Sequence, residues 1–122
     1  VFLAQFDAIK KLASEGPCVM VGRCADYALS EYKDCFSVFV HADTDWRINR
    51  LSQKHNKTAK EAKDMINKTD KSRSSYYNYY TNKKWGAASS YNLCVDSSKL
   101  GIDGAAKAII QAIEIFDSIK NK

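Results

Sequence analysis

A chain of 122 residues, 45 % hydrophobic and 27 % charged, is enough for one globular domain and too rich in apolar side chains for disorder. No apolar run reaches the roughly 18 residues of a membrane span, and no secretory leader opens the sequence. The net charge of +5 is concentrated: residues 43–84 hold eleven Lys and Arg against five Asp and Glu, and the remainder is nearly balanced. A local anionic partner is therefore expected rather than a generally sticky surface, and a membrane-lying helix is set aside because that stretch has only a narrow apolar stripe. The start at Val1 rather than Met suggests a processed product or part of a longer protein.

In chain order, Phe2, Phe6, Ile9 and Ala13 fall at helical spacing, and Gly16-Pro17 stops that helix. Cys18-Val19-Met20-Val21-Gly22 is a short continuous apolar run, the pattern of a strand buried on both faces. Residues 36–40 predict a second such strand and residues 93–96 a third. Strands alternating with helices predict an α/β fold, a parallel sheet with flanking helices. Between the second and third strands a helix is expected from about Thr44 to Lys54, with Arg47, Arg50 and Lys54 on one face. Thr58-Ala59-Lys60-Glu61 is a capping-box signature for a longer helix. Its stripe runs Ala62, Met65, Ile66, Thr69 and then Arg73, Tyr76, Tyr77, Tyr80, passing from apolar to polar. A last helix, from about Asp103 to Ile119, aligns Ala105, Ile109, Ala112, Ile113 and Phe116 for packing on a sheet.

Cys18, Cys24, Cys35 and Cys94 form no CxxC pair, and His41 and His55 stand alone, so no metal site is expected. The cysteines read as small thiols in a reducing, cytoplasmic setting.

Functional residues of an open α/β sheet sit just past the carboxyl ends of strands. The first strand end offers Gly22-Arg23-Cys24-Ala25-Asp26, with a phosphate-grade cation and a carboxylate at one rim. The second leads into Arg47 and Arg50, whose planar forks can grip phosphoryl oxygens as lysine cannot. The alternative is a solvated charged face with intrahelical Asp–Arg pairs. The third, Asp96-Ser97-Ser98, reads as a turn. The densest constellation is residues 68–86, with four tyrosines in five positions, flanking cations and Trp85-Gly86. Aromatics among cations suit single-stranded nucleic acid or a lone nucleotide, and composition does not separate the two. No Gly-rich phosphate loop of either common spacing occurs, nor a G-x-S-x-G, H-E-x-x-H or kinase catalytic-loop motif.

The strings VGRCADYAL, FSVFVHADTDWRINRL, KTDKSRSSYYNYYTNKKWG and YNLCVDSSKLGIDGA, in that order, resemble the cytidylate kinase-like family of P-loop nucleotide kinases over nearly the whole chain. The resemblance implies a single incomplete kinase-like domain over 1–122, with a basic helical lid at about 44–84 and the central P-loop strand absent from this chain. It implies an enzyme that moves the γ-phosphoryl group of ATP, with Mg²⁺, to CMP, dCMP or a related monophosphate. Arg23 and Asp26 would meet the acceptor, Arg47 and Arg50 the donor phosphates, and Asp70 and Arg73 the acceptor phosphate. Arg47, Arg50 and Arg73 would be the catalytic cations. The alternative is a non-catalytic module of the same fold that binds nucleotide or single-stranded nucleic acid, although nucleic acid is the less expected partner. In the resembled fold the P-loop strand lies between the strands predicted at 18–22 and 36–40. A slot is therefore expected there, filled by a missing N-terminal segment or by a strand from another chain. Without it the 122 residues should not turn over ATP.

Overall fold

The computed structural model describes residues 2–22 and 24–120. They fall into two compact units, Val1–Ser37 and Val38–Lys122.

In the first unit, helix α1 (Phe2–Ser14) and the single turn α2 (Ala25–Ala28) share one small apolar cluster. Ile9 packs with Ala25, Ala28 and Leu29, and Phe6, Ala13, Met20 and Cys35 close around them. Alternate members of the intervening apolar run part company: Met20 turns to this cluster, while Val19 and Val21 are 93 % and 89 % exposed. The strand predicted at 18–22 is not formed among the described residues. An apolar run becomes a strand only when a neighbouring backbone satisfies its N–H and C=O groups, and none is laddered to it here. Gly22 (φ +71) and Cys24 (φ +55) both adopt left-handed backbone, and the Ala25 N–H bonds to the Gly22 carbonyl at 3.2 Å, closing the turn into α2.

The second unit holds the sheet. Strand β1 (Val38–His41) begins two residues later than expected and runs parallel to β2 (Leu93–Asp96), with Val38 opposite Leu93 and His41 opposite Asp96. Parallel neighbours need a long crossover, and here it is the helix pair α3 (Thr44–His55) and α4 (Ala59–Thr81). Both helix starts are capped as their sequences dictate. Asp43 accepts the Trp46 N–H at 3.4 Å. Thr58 and Glu61 exchange two bonds of 3.1 Å in a complete capping box. Asn56 and Asn82 end the two helices in left-handed backbone.

α4 buries Ala62, Ile66, Tyr77 and Thr81, one face of the helix, whereas α3 has no fully buried residue. α5 (Ser97–Lys120) starts earlier than its apolar pattern suggested: a helical turn over 97–100 precedes a break at Gly101 (φ +74). Beyond the break Ala105 is buried, and Ile109, Ala112 and Phe116 are half-buried, while Ile113 is 38 % exposed. No helix among the described residues is long and apolar enough to cross a membrane.

The tyrosine-rich segment divides in two. Phe39 of β1 stacks on Tyr91 at 4.8 Å and meets the edge of Trp85 at 5.3 Å, and Tyr77 lies parallel to Tyr91 at 6.2 Å. Two backbone bonds hold this cluster: the Trp85 N–H donates to Asn78 Oδ1 at 2.7 Å, and the Gly86 N–H donates to the Tyr91 hydroxyl at 3.2 Å. Gly86 turns at φ +81 over the Phe39 ring, so Trp85-Gly86 is a packing corner. Tyr76, Tyr79 and Tyr80 instead pack on one another, Tyr80 lying 4.8 Å from Tyr76 and 4.9 Å from Tyr79, with Tyr79 78 % exposed.

Gly86→Ala should lower the unfolding free energy by about 1–2 kcal/mol, the cost of left-handed backbone with a Cβ, as measured by urea denaturation. Thr58→Ala should cost about 1 kcal/mol through the lost cap, read the same way.

Candidate functional site

Where β1 ends, the chain turns through Ala42 and Asp43 directly into α3, which places Trp46, Arg47 and Arg50 beside the carboxyl end of the sheet. α4 returns antiparallel to α3 and brings Asp70 and Arg73 to the same place. Between them lies a cleft of about 620 Å³ whose wall carries Arg47, Arg50, Lys54, Asp70 and Arg73. Val40, Trp46, Met65, Ile66 and Trp85 supply its apolar surface. Three arginines and one lysine against a single aspartate among these wall residues make it an anion-attracting hollow.

The central contact is a fork-to-fork ion pair. Arg47 Nη1 donates to Asp70 Oδ2 at 2.8 Å and Nη2 donates to Oδ1 at 2.9 Å. Both side chains are about a quarter to a third exposed. The bonds to Asp70 push the Arg47 guanidinium pKa further above its already high value, against the effect of burial. Arg73, one turn along α4, stands 3.8 Å from the same carboxylate and is 61 % exposed. Arg50 lies 5.8 Å over the Trp46 ring, at cation–π range. Arg47 therefore pairs across to α4 and not within its own helix. Its counter-ion comes from residue 70.

A second, smaller cleft of about 460 Å³ lies at the ends of both strands, lined by His41, Asp43, Trp46, Asp96, Ser98 and Lys99. Ser98 is its organiser: its hydroxyl donates to Asp96 Oδ1 and accepts the Asp43 N–H at 3.0 Å, and its own N–H bonds to Asp96 at 2.9 Å. Ser97 donates to the His41 carbonyl at 3.2 Å. The Ser98 hydroxyl, then the Ser98 and Lys99 amides, hold the Asp96 carboxyl below the usual aspartate range, and His41 adds to this. The sequence read this segment as a plain turn and passed over Trp46. The rule that ligands meet parallel sheets at strand carboxyl ends points to both.

Of the residues singled out from sequence, Arg47, Arg50, Asp70 and Arg73 come together on one cleft. Asp26 lies in the first turn of α2 within the other unit. There it lifts the Cys24 and Cys35 thiol pKa values further above their ordinary range, after the larger effect of burial. Arg23 lies outside the described residues. Among the described residues no group of three or more His, Cys, Asp or Glu is arranged to hold a metal ion.

Two measurements check this geometry. A double-mutant cycle of Arg47→Ala and Asp70→Ala should return a favourable coupling of about 1 kcal/mol in unfolding free energy. The folded-state pKa of Asp96 is depressed, so its contribution to stability is complete above the ordinary aspartate pKa and is lost as pH falls through the lowered one. Ser98→Ala should move the Asp96 midpoint upward in a carboxyl-carbon NMR titration.

The chain matches the model of the cytidylate kinase-like family over residues 1–99. No curated protein matches it. The crystal structure of an uncharacterized protein from Eubacterium ventriosum is similar at a TM-score of 0.89 and 34 % identity, covering 93 % of this chain. The chain spans 64 % of that structure's length. With 99 of its 122 residues inside the family's match, the chain belongs to the cytidylate kinase-like family.

Proposed function

We propose that the intact protein is a nucleoside monophosphate kinase of the P-loop type, in which an oxygen of the CMP or dCMP phosphate attacks the γ-phosphorus of ATP. The bond from that phosphorus to the bridging oxygen breaks, and ADP and a nucleoside diphosphate leave. Family membership makes the reading kinase-like. The observation that carries it to phosphoryl transfer is the convergence of Arg47, Arg50 and Arg73 on one cleft at the carboxyl end of a parallel sheet. Such transfer needs alignment and charge neutralisation more than covalent help, and planar guanidinium forks supply both.

In this reading Arg47 and Arg50 take the donor phosphates, and Arg73, with Asp70, faces the acceptor phosphate. Arg23 and Asp26 form the acceptor rim, and residues 44–84 act as a lid that excludes water when it closes. Mg²⁺ enters with ATP as part of the substrate, its shell made of phosphate oxygens and water. A further parallel strand, bearing a Gly-rich loop and supplied by an N-terminal segment or another chain, completes the sheet and the phosphate cradle. The 53 % exposed Val40 of β1 supports the reading that a further strand joins this sheet.

The exposed Tyr79, close to Tyr80 at 4.9 Å, favours a second reading, in which this face stacks single-stranded nucleic acid without catalysis.

The test uses the full-length protein in a coupled ADP-release assay with ATP, Mg²⁺ and a panel of monophosphates. Turnover should appear with CMP or dCMP. Arg50→Ala should lower kcat by about 10³-fold, the effect of removing a transition-state arginine. Arg23→Ala should weaken monophosphate binding by about 1.5–3 kcal/mol in calorimetry. Absence of turnover with every monophosphate, together with oligonucleotide binding that falls steeply with salt, would establish the second reading instead.

A further inference from the structure

The cleft contains an anion of its own. Asp70 offers two coplanar oxygens to the end of the Arg47 fork at 2.8 and 2.9 Å, the geometry with which a guanidinium also receives two oxygens of a phosphoryl group. The same carboxylate stands 3.8 Å from Arg73. One negative charge thus serves two arginines, and Arg50 and Lys54 line the same hollow. The surplus positive charge attracts an anion, yet the fork end of Arg47 is occupied. A phosphoryl group added alongside would lie against the Asp70 carboxylate, and like charges at such range repel strongly in a partly desolvated site. Exchange of one anion for the other avoids that repulsion, and a pair with a quarter to a third of each side chain still exposed can be reached by solvent and ligand.

We propose that Asp70 is a built-in phosphate surrogate: it holds the Arg47 fork in shape while the cleft is empty and yields it to a phosphoryl group of the nucleotide. This rests on reading the cleft as the nucleotide-phosphate site. It adds to the place beside the acceptor phosphate proposed for Asp70 a further role, in which the residue acts through Arg47 and Arg73 as a positioning residue and a competitor. Discrimination follows from the exchange. An anion with one weakly basic oxygen cannot replace a bidentate carboxylate, whereas a phosphate chain presents paired oxygens to Arg47 and further ones to Arg50 and Arg73.

The test is calorimetric titration of inorganic tripolyphosphate into the full-length protein, with Asp70→Asn as the variant. The amide keeps the shape and one acceptor but loses the charge. Tripolyphosphate should bind the variant about tenfold more tightly than the parent, and Arg47→Ala in the same background should abolish that gain. In the unmutated protein the Asp70 carboxyl carbon and the Arg47 Nη resonances should shift together as tripolyphosphate is added, a readout that does not depend on the variant's folding. Unchanged or weaker binding by a folded Asp70→Asn protein, or tripolyphosphate binding that leaves both resonances in place, would overturn the proposal, as would failure of both proteins to bind. Anion exchange with no phosphoryl transfer to any monophosphate would leave this proposal standing and remove the kinase reading.

Discussion

The Arg47–Asp70 pair is the constraint around which the functional end of this molecule is arranged. α3 buries no residue completely, and its apolar anchorage is limited to the half-buried Trp46, Ile48 and Leu51. α4 has fully buried anchorage through Ala62, Ile66 and Tyr77. A two-point ion pair between them sets the rotation of α3 against α4, because a bidentate fork tolerates little change in angle. It also decides which cations remain available. Arg47 is neutralised, whereas Arg73 and Arg50 face solvent at the rim of the same cleft.

The sheet end of the cleft is held by different physics. Phe39 is the hub of an aromatic cluster made with Tyr91 and Trp85, and a glycine turn brings Trp85 against it. This gives the cleft packed aromatic walls beside exposed, charged side chains. On the other side, Ser98 links the ends of β1 and β2 by serving Asp96 and Asp43 at once. Carboxylates beside a hollow rich in arginine would ordinarily weaken its attraction for an anion. Here Asp96 is satisfied by the serine and by backbone amides, and Asp43 caps a helix, so neither carboxylate stands without hydrogen-bond donors.

Much of the architecture was legible from local chemistry. The capping box at Thr58 and the α3 boundaries follow from interactions within a few residues, and both appear in the structure, as does the strand at 93–96, whose apolar run finds its partner backbone in β1. That Arg47, Arg50 and Lys54 share one face of α3 was legible for the same reason, since spacing on a helix determines which side chains lie together. The misread segments have a common cause. Residues 18–22 carry a strand's composition, but a strand also needs a partner backbone, which composition does not contain. Residues 97–100 carry a turn's composition, but hydrogen bonds to Asp96 from the amides of Ser98 and Lys99 wind them into helix.

The sequence by itself determined the α/β class, the four long helices and the family, because periodicity, caps and motif order survive without coordinates. Tertiary structure decided what each polar and aromatic residue does. It separated Tyr77, which stacks on Tyr91, and Trp85, which meets Phe39, from Tyr76, Tyr79 and Tyr80, which pack on one another. It also gave Arg47 a partner 23 residues away in place of the aspartates beside it. The physical reason is range. Helix and turn propensities act over three or four residues, whereas ion-pair choice and ring packing depend on distances that exist only once α3, α4 and the two strands have come together.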